Sequence, residues 1–206
     1  MFLQHLSVTL LVLATLLLLL VSLSTPISHN IYFLKADIAV SVATQTIKAK
    51  TLYLGNWGWC RGDVCSKAAL GYRLDAFSSL NGISKIETLV RRFTRGLLLN
   101  PLACCLTFVA ALLTLSPNLA VGMVAGFASA LALFITCLAL TFDVAFFLTI
   151  RIRLNQVSDD IHAQLSHATW LVVAAIVLQF IATVAIYWRR HVQTAVKFRK
   201  IQQMVV

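Results

Sequence analysis

Four long apolar runs dominate this 206-residue chain and dictate where it can fold. They cover residues 6–23, 97–115, 119–142 and 168–188, and each supplies close to the ~20 apolar residues that carry a helix across a bilayer core. A mean hydropathy of +0.88 with 12% charged residues is far too apolar for a water-soluble domain of this length. Backbone surrounded by lipid has to bond to itself, so the runs read as helices. The expected fold is a mainly α membrane protein, a single domain over residues 1–206 built on a four-helix transmembrane bundle. Apart from Asp143 the third run stays apolar as far as Ile150. At ~1.5 Å per residue it outmeasures a ~30 Å hydrocarbon core and should protrude, with Asp143 near the outer interface.

Orientation follows from Lys and Arg. The tail at 189–206 carries Arg189, Arg190, Lys197, Arg199 and Lys200 without an acid among them, directly after Tyr187 and Trp188, which suit an interfacial aromatic belt. That end is expected in the cytosol, where the basic tail would face anionic lipid. With four spans the N-terminus is cytosolic too, and the segments at 25–96 and 151–167 face outward. The first of these is itself basic, but loops longer than ~60 residues translocate largely regardless of charge. The first run has no basic n-region and exceeds the ~7–15 apolar residues of a signal peptide, which favours a retained span. Ser22-Leu23-Ser24 nevertheless offers small residues where a peptidase could cut. Either way the large loop stays outside.

Within that loop, residues 31–54 are rich in Ile, Val, Thr, Tyr and Phe, and Ile38, Val40 and Val42 alternate with Ala39, Ser41 and Ala43. Period two reads as strands, so a small extracellular β layer is expected. Gly55, Gly58 and Gly62 place tight turns around Cys60 and Cys65. Two cysteines that close in sequence, in an oxidising space, are expected to form a disulfide. Trp57 and Trp59 should pack against the ends of the helices, each indole N–H finding a partner. Ser84-Lys85-Ile86-Glu87 fits a capping box, and Ile86, Leu89, Val90, Phe93 and Leu97 follow at helical spacing, which predicts an amphipathic extracellular helix running into the second span. Asn100-Pro101 lies early in that span, where a proline is tolerated or kinks the helix.

Other features carry less. Arg61-Gly62-Asp63 matches an adhesion tripeptide, but a glycine turn flanked by solvated charges explains it as well. Asp159, Asp160, His162 and His167 lack the spacing of a metal set and read as a solvated loop. Cys104, Cys105 and Cys137 lie within spans and read as small buried hydrophobes, with palmitoylation as the sharper alternative. Gly122, Gly126 and Ala130 form a small-residue stripe that lets helices approach, within the bundle or in a homo-oligomer. Gln179 is the lone strongly polar residue at mid-span, too little for a transport pathway. Catalytic motifs are not found, and no cofactor is expected. The formal charge of +10 is divided between two membrane faces and does not imply nucleic acid.

A tryptophan-rich, paired-cysteine loop outside four spans resembles the claudin-like tetraspans. More narrowly, the chain resembles the fungal PalI family of pH-response and actin-cortical-patch proteins. The resemblance runs through Leu23-Ser24-Thr25-Pro26-Ile27, the loop motif Gly55-Asn56-Trp57-Gly58-Trp59-Cys60, Cys65-Ser66, Gly71-Tyr72, Leu98-Leu99-Asn100-Pro101-Leu102-Ala103 and Asp143. Trp57 and Trp59 stand where that family often has phenylalanine or leucine and tyrosine. The resemblance implies a non-catalytic plasma-membrane protein that holds other integral membrane proteins. Its partner would be a receptor, in ambient-pH signalling, or a cortical scaffold, in organising membrane domains and cell-wall growth. Two further classes stay open: a cell-fusion or contact tetraspan, and a small subunit of a larger membrane enzyme.

Overall fold

The computed structural model describes residues 2–25, 32–42, 45–62, 64–67, 96–116, 118–157, 161–165 and 167–205. Among them are four helices, α1 (Phe2–Ser22), α2 (Leu99–Leu115), α3 (Leu119–Val157) and α4 (His167–Val205). Five strands accompany them: β1 (Leu34–Val42), β2 (Gln45–Leu54), β3 (Trp59–Arg61), β4 (Val64–Cys65) and β5 (Ile161–Leu165). Four stretches are long and apolar enough to cross a membrane: Gln4–Ser22, Gly96–Leu115, Ala120–Ile152 and Ala168–Val192. A short 3-10 turn, Gly96–Leu98, opens α2. Pro101 follows in the first helical turn, where its missing N–H would have had no partner anyway.

The helices form a square in which α1 packs against α2 and α4, and α3 closes it against the same two neighbours. Buried positions alternate in steps of four and three along every helix. They are Ser7, Leu11, Ala14, Leu18 and Val21 in α1, and Asn100, Ala103, Thr107, Ala110 and Thr114 in α2. In α3 they are Ala125, Ser129, Ala132, Thr136, Ala139 and Asp143, and in α4 Ala168, Val172, Ala175, Gln179, Ala182 and Ile186. A period of about 3.5 residues is the seam of a left-handed bundle. Lipid tails are as apolar as leucine, so small side chains that admit a close backbone approach do the packing. The large ones, among them Phe108, Phe127, Phe134 and Phe180, are exposed on the outer faces.

Polar side chains in the seam bond locally or to one another. Thr107, Thr114 and Thr136 donate to the carbonyl four residues back, at 2.6, 2.7 and 2.7 Å. Ser129 and Thr183 share a bond of 2.6 Å between α3 and α4. Across the diagonal, the Gln179 Nε2 donates to the Thr107 Oγ1 at 2.6 Å.

The strands form one antiparallel sheet in the order β4-β3-β2-β1-β5. Its register shifts between Ile38 and Val40, in β1 against β2. Just before β1, buried Phe33 stacks on Phe147 with centroids 4.8 Å apart, and Phe146 meets Phe147 edge-on at 4.9 Å. The sheet therefore rests on the end of α3 that outruns the bundle.

Three expectations are revised. Residues 161–165 are a strand rather than solvated loop: β5 pairs with β1, with His162 opposite Asp37. The segment after 188 continues α4 as helix to Val205. Cys105 and Cys137 lie exposed on the helix surfaces, whereas Cys104 is buried, its thiol 3.6 Å from the Thr15 carbonyl. The amphipathic helix with its capping box, and also Gly71, Tyr72, Asp63, Asp159 and Asp160, lie outside the described residues.

Candidate functional site

The loop between β2 and β3 fastens the sheet to the bundle. Ser22 ends α1, so its carbonyl is among those a helix leaves without an internal partner. The Trp57 indole Nε1–H fills it at 2.6 Å. The Trp57 backbone N–H donates to the Thr25 carbonyl at 3.3 Å, and the Asn56 N–H to the Ser24 Oγ at 2.9 Å. A turn bond from the Gly55 N–H to the Gly58 carbonyl, 2.9 Å, shapes the loop for this contact. Gly55 itself lies so close to Thr25 that a methyl group there would collide with its backbone. Trp59 is half-buried in β3, and its backbone N–H donates to the Ser66 Oγ at 3.0 Å. The reading of Trp57 as a helix-end anchor thus has a definite partner. That partner, the Ser22-Leu23-Ser24-Thr25 end of α1, entered the sequence reading as a candidate cleavage site and as part of the family resemblance, not as an acceptor for Trp57.

Cys60 and Cys65 are joined by a disulfide across β3 and β4. They face each other in the register, so the bond closes the hairpin where the strands already pair. Gly62 takes φ +60° in the turn, a left-handed conformation for which glycine has no steric penalty. Cys60 is fully buried and Val64 exposed, so the hairpin presents its turn outward.

Just beneath the sheet, the Asn100 Nδ2 donates to the Asp143 Oδ2 at 2.8 Å. Both residues are buried, and the remaining side-chain oxygen of each has no hydrogen-bond partner among the described residues. Asp143 therefore faces the bundle interior and ties α2 to α3 at their sheet ends.

The opposite end is tied by Gln4. Its Nε2 donates to the Thr114 and Leu115 carbonyls at 3.2 and 3.1 Å, capping α2, and its Oε1 accepts from the Arg189 Nη2 at 2.9 Å. Arg190 lies near Gly126: its Nη1 would be 3.8 Å from a methyl group there, with the Ile186 Cγ2 at 3.6 Å and the Tyr187 Cζ at 3.7 Å. Gly122 has open space before it, and Ala130 is half-buried. Gly126 is thus buried beside α4, next to Ala125 at the start of the Ala125–Asp143 seam. Lys197, Arg199 and Lys200 fall on the helical extension of α4. Groups of His, Cys, Asp or Glu fit to hold a metal do not occur among the described residues.

Four membrane-length helices in a square, capped at one end by a disulfide-bearing antiparallel sheet, define a claudin-like tetraspan, a multi-pass membrane protein whose environment is the lipid bilayer. The chain belongs to the SUR7/PalI family, which it matches over residues 3–182. That span takes in nearly all of α1, the sheet, α2, α3 and the first part of α4. Among curated proteins, none matches the chain significantly.

Proposed function

We propose that this protein is a non-catalytic plasma-membrane tetraspan that holds partner membrane proteins and thereby assists ambient-pH sensing or signalling. The observation that carries this reading is the anchoring of the sheet. Trp57 bonds it to α1 and Phe33 stacks it on α3, so the outer layer forms a platform that moves with the bundle. A platform fixed in this way suits recognition, because a binding surface that is already ordered loses little entropy on docking. Membership of the SUR7/PalI family supports the tetraspan role. Both termini lie in the cytosol on this reading, since Arg189 and Arg190 follow the last span and favour the cytosolic side. On this reading the first helix is a retained span, and the bonds of Trp57 and Asn56 to its end support that.

A second reading, organisation of cortical membrane domains and cell-wall growth, draws on one observation. Helix α4 runs on past Val192 to Val205 with Lys197, Arg199 and Lys200 along it, a basic rod suited to an anionic membrane surface. Affinity purification of the full chain in mild detergent, followed by mass spectrometry, separates the readings. Recovery of an arrestin-linked receptor supports the signalling role. Static membrane patches without such a receptor favour the cortical one, and stoichiometric recovery with a membrane enzyme would replace both.

A further inference from the structure

Beneath the sheet, the Asn100–Asp143 pair holds more acceptors than donors reach. The amide brings two N–H donors and one acceptor oxygen, and an ionised carboxyl brings acceptors alone. The one bond between them runs from the Asn100 Nδ2 to the Asp143 Oδ2 at 2.8 Å. It leaves the Oδ1 of each residue empty, in side chains that are 0% and 1% exposed. Buried acceptors are normally satisfied, and a buried carboxylate normally has a cation or several donors around it.

The surroundings of the pair supply neither. Ionisable residues on the elements around it are Cys104 on α2, Arg151 and Arg153 on α3, Lys35 and Asp37 on β1, His162 on β5 and His167 at the start of α4. Among the described residues, Asn100 is the one hydrogen-bond partner of Asp143. A single proton meets both deficits and needs no cavity. With a hydrogen on its Oδ1, Asp143 becomes a donor, and the Asn100 Oδ1, on the amide that the first bond already holds beside it, can accept. The two groups then close an amide–acid ring, with N–H to carboxyl oxygen and O–H to amide oxygen. The outer layer is near. Phe147, on which Phe33 stacks, is one turn along α3 from Asp143, about 6 Å of rise.

We propose that Asp143 binds a proton in the folded bundle, donating it to the Asn100 Oδ1, and that an alkaline medium removes it and loosens α2 from α3 beneath the sheet. Loss of the proton leaves two facing acceptors and a single bond between the helices. Only the use of this joint as a sensor rests on the ambient-pH role proposed above. The proton itself does not.

The test is infrared spectroscopy of the full chain in mild detergent at acid, neutral and alkaline pH, read together with amide exchange over residues 96–103. Wild type is compared with Asp143→Asn, which offers Asn100 a donor that alkali does not remove. The expected result is the carbonyl band of a protonated carboxyl at neutral pH, absent from Asp143→Asn and fading reversibly as the medium turns alkaline. At alkaline pH the joint should exchange about tenfold faster in wild type than in the variant, the factor that one lost hydrogen bond represents, and equally fast in the two at acid pH. No such band in wild type at neutral pH, a band retained in Asp143→Asn, a band that alkali leaves unchanged, or equal exchange at alkaline pH would each overturn the proposal. If Asp143→Asn does not fold, Asn100→Leu decides: loss of the acceptor should move the acid band to higher frequency, and an unmoved band belongs to another carboxyl and removes the site.

Discussion

The same substitution, glycine to alanine, should have opposite effects at two positions. At Gly55 the added methyl would run into the backbone of Thr25. The loop can absorb it by strain, at ~1–3 kcal/mol for an overpacked site. Alternatively it can lift off α1 and lose the bonds from Trp57 to Ser22, Trp57 to Thr25 and Asn56 to Ser24. At ~1 kcal/mol net for each, lifting costs about as much, so Gly55→Ala should destabilise by about 2–3 kcal/mol whichever route is cheaper. At Gly126 a methyl would meet the Ile186 Cγ2 at 3.6 Å, an ordinary contact. There the helix gains the ~0.5–1 kcal/mol by which alanine exceeds glycine in a helix interior. Thermal unfolding in one detergent, followed by tryptophan emission, reads both. At roughly 2–4 °C per kcal/mol for a chain of this size, Gly55→Ala should melt several degrees below wild type and Gly126→Ala slightly above it. A Gly55→Ala protein as stable as wild type, or a larger loss at Gly126 than at Gly55, would refute the reasoning.

Three further outcomes are expected. Trp57→Phe keeps an aromatic ring but leaves the Ser22 carbonyl without its donor, so it should cost about 1–2 kcal/mol and speed amide exchange in the loop; unchanged exchange at residues 55–59 would count against the anchor. Cys60→Ser with Cys65→Ser opens a very short loop and should cost about 2 kcal/mol, seen as faster proteolysis of the sheet under non-reducing conditions and lower surface levels; wild-type protection would make the bond dispensable. Asn100→Leu strips buried Asp143 of its donor and should cost about 1.5–3 kcal/mol, whereas Asn100→Leu with Asp143→Leu should be less harmful than either single change; additive losses in detergent melts would show that the two side chains do not act as a pair.

Much of the architecture was legible because the bilayer imposes a length. Residues 6–23 and 97–115 could only become spans, and the alternation around Ile38 and Val40 could only suit strands. What stayed hidden has a physical cause. In a water-soluble helix the buried face is the hydrophobic one, but here Phe108 and Phe127 face lipid while Ala110 and Ala125 face the core. The inward face is marked by small and weakly polar residues rather than by hydrophobicity. Of the glycine stripe, Gly126 is buried beside Ile186 and Tyr187 of α4, whereas Gly122 meets open space, a difference the spacing alone does not carry. Strand β5 was missed for another reason. Ile161, Ala163 and Leu165 do alternate with His162 and Gln164 at the period of a strand, but five residues beside Asp159 and Asp160 make too short a run to stand out, and the pairing partner, the edge of β1, lies far away in sequence. Trp57 and Cys60 stood out in the sequence by their rarity and turn context, but the acceptors at Ser22 and Ser24 are ordinary residues that only the folded chain brings near.

The pairing of β1 with β5 has a consequence for how the protein is made. Leu34 and its partner Leu165 are separated by about 130 residues, and at ~5–20 residues per second the ribosome needs on the order of 10 s to bridge that gap. Through that interval α1 and the first strands have emerged while β1 still shows an unpaired edge, the kind of edge that captures other chains. The edge closes only when β5 arrives, immediately ahead of α4, so completion of the sheet coincides with delivery of the last helix. A chain arrested before residue 161 would therefore carry its own mark of incompleteness, readable by quality control at the sheet rather than within the membrane.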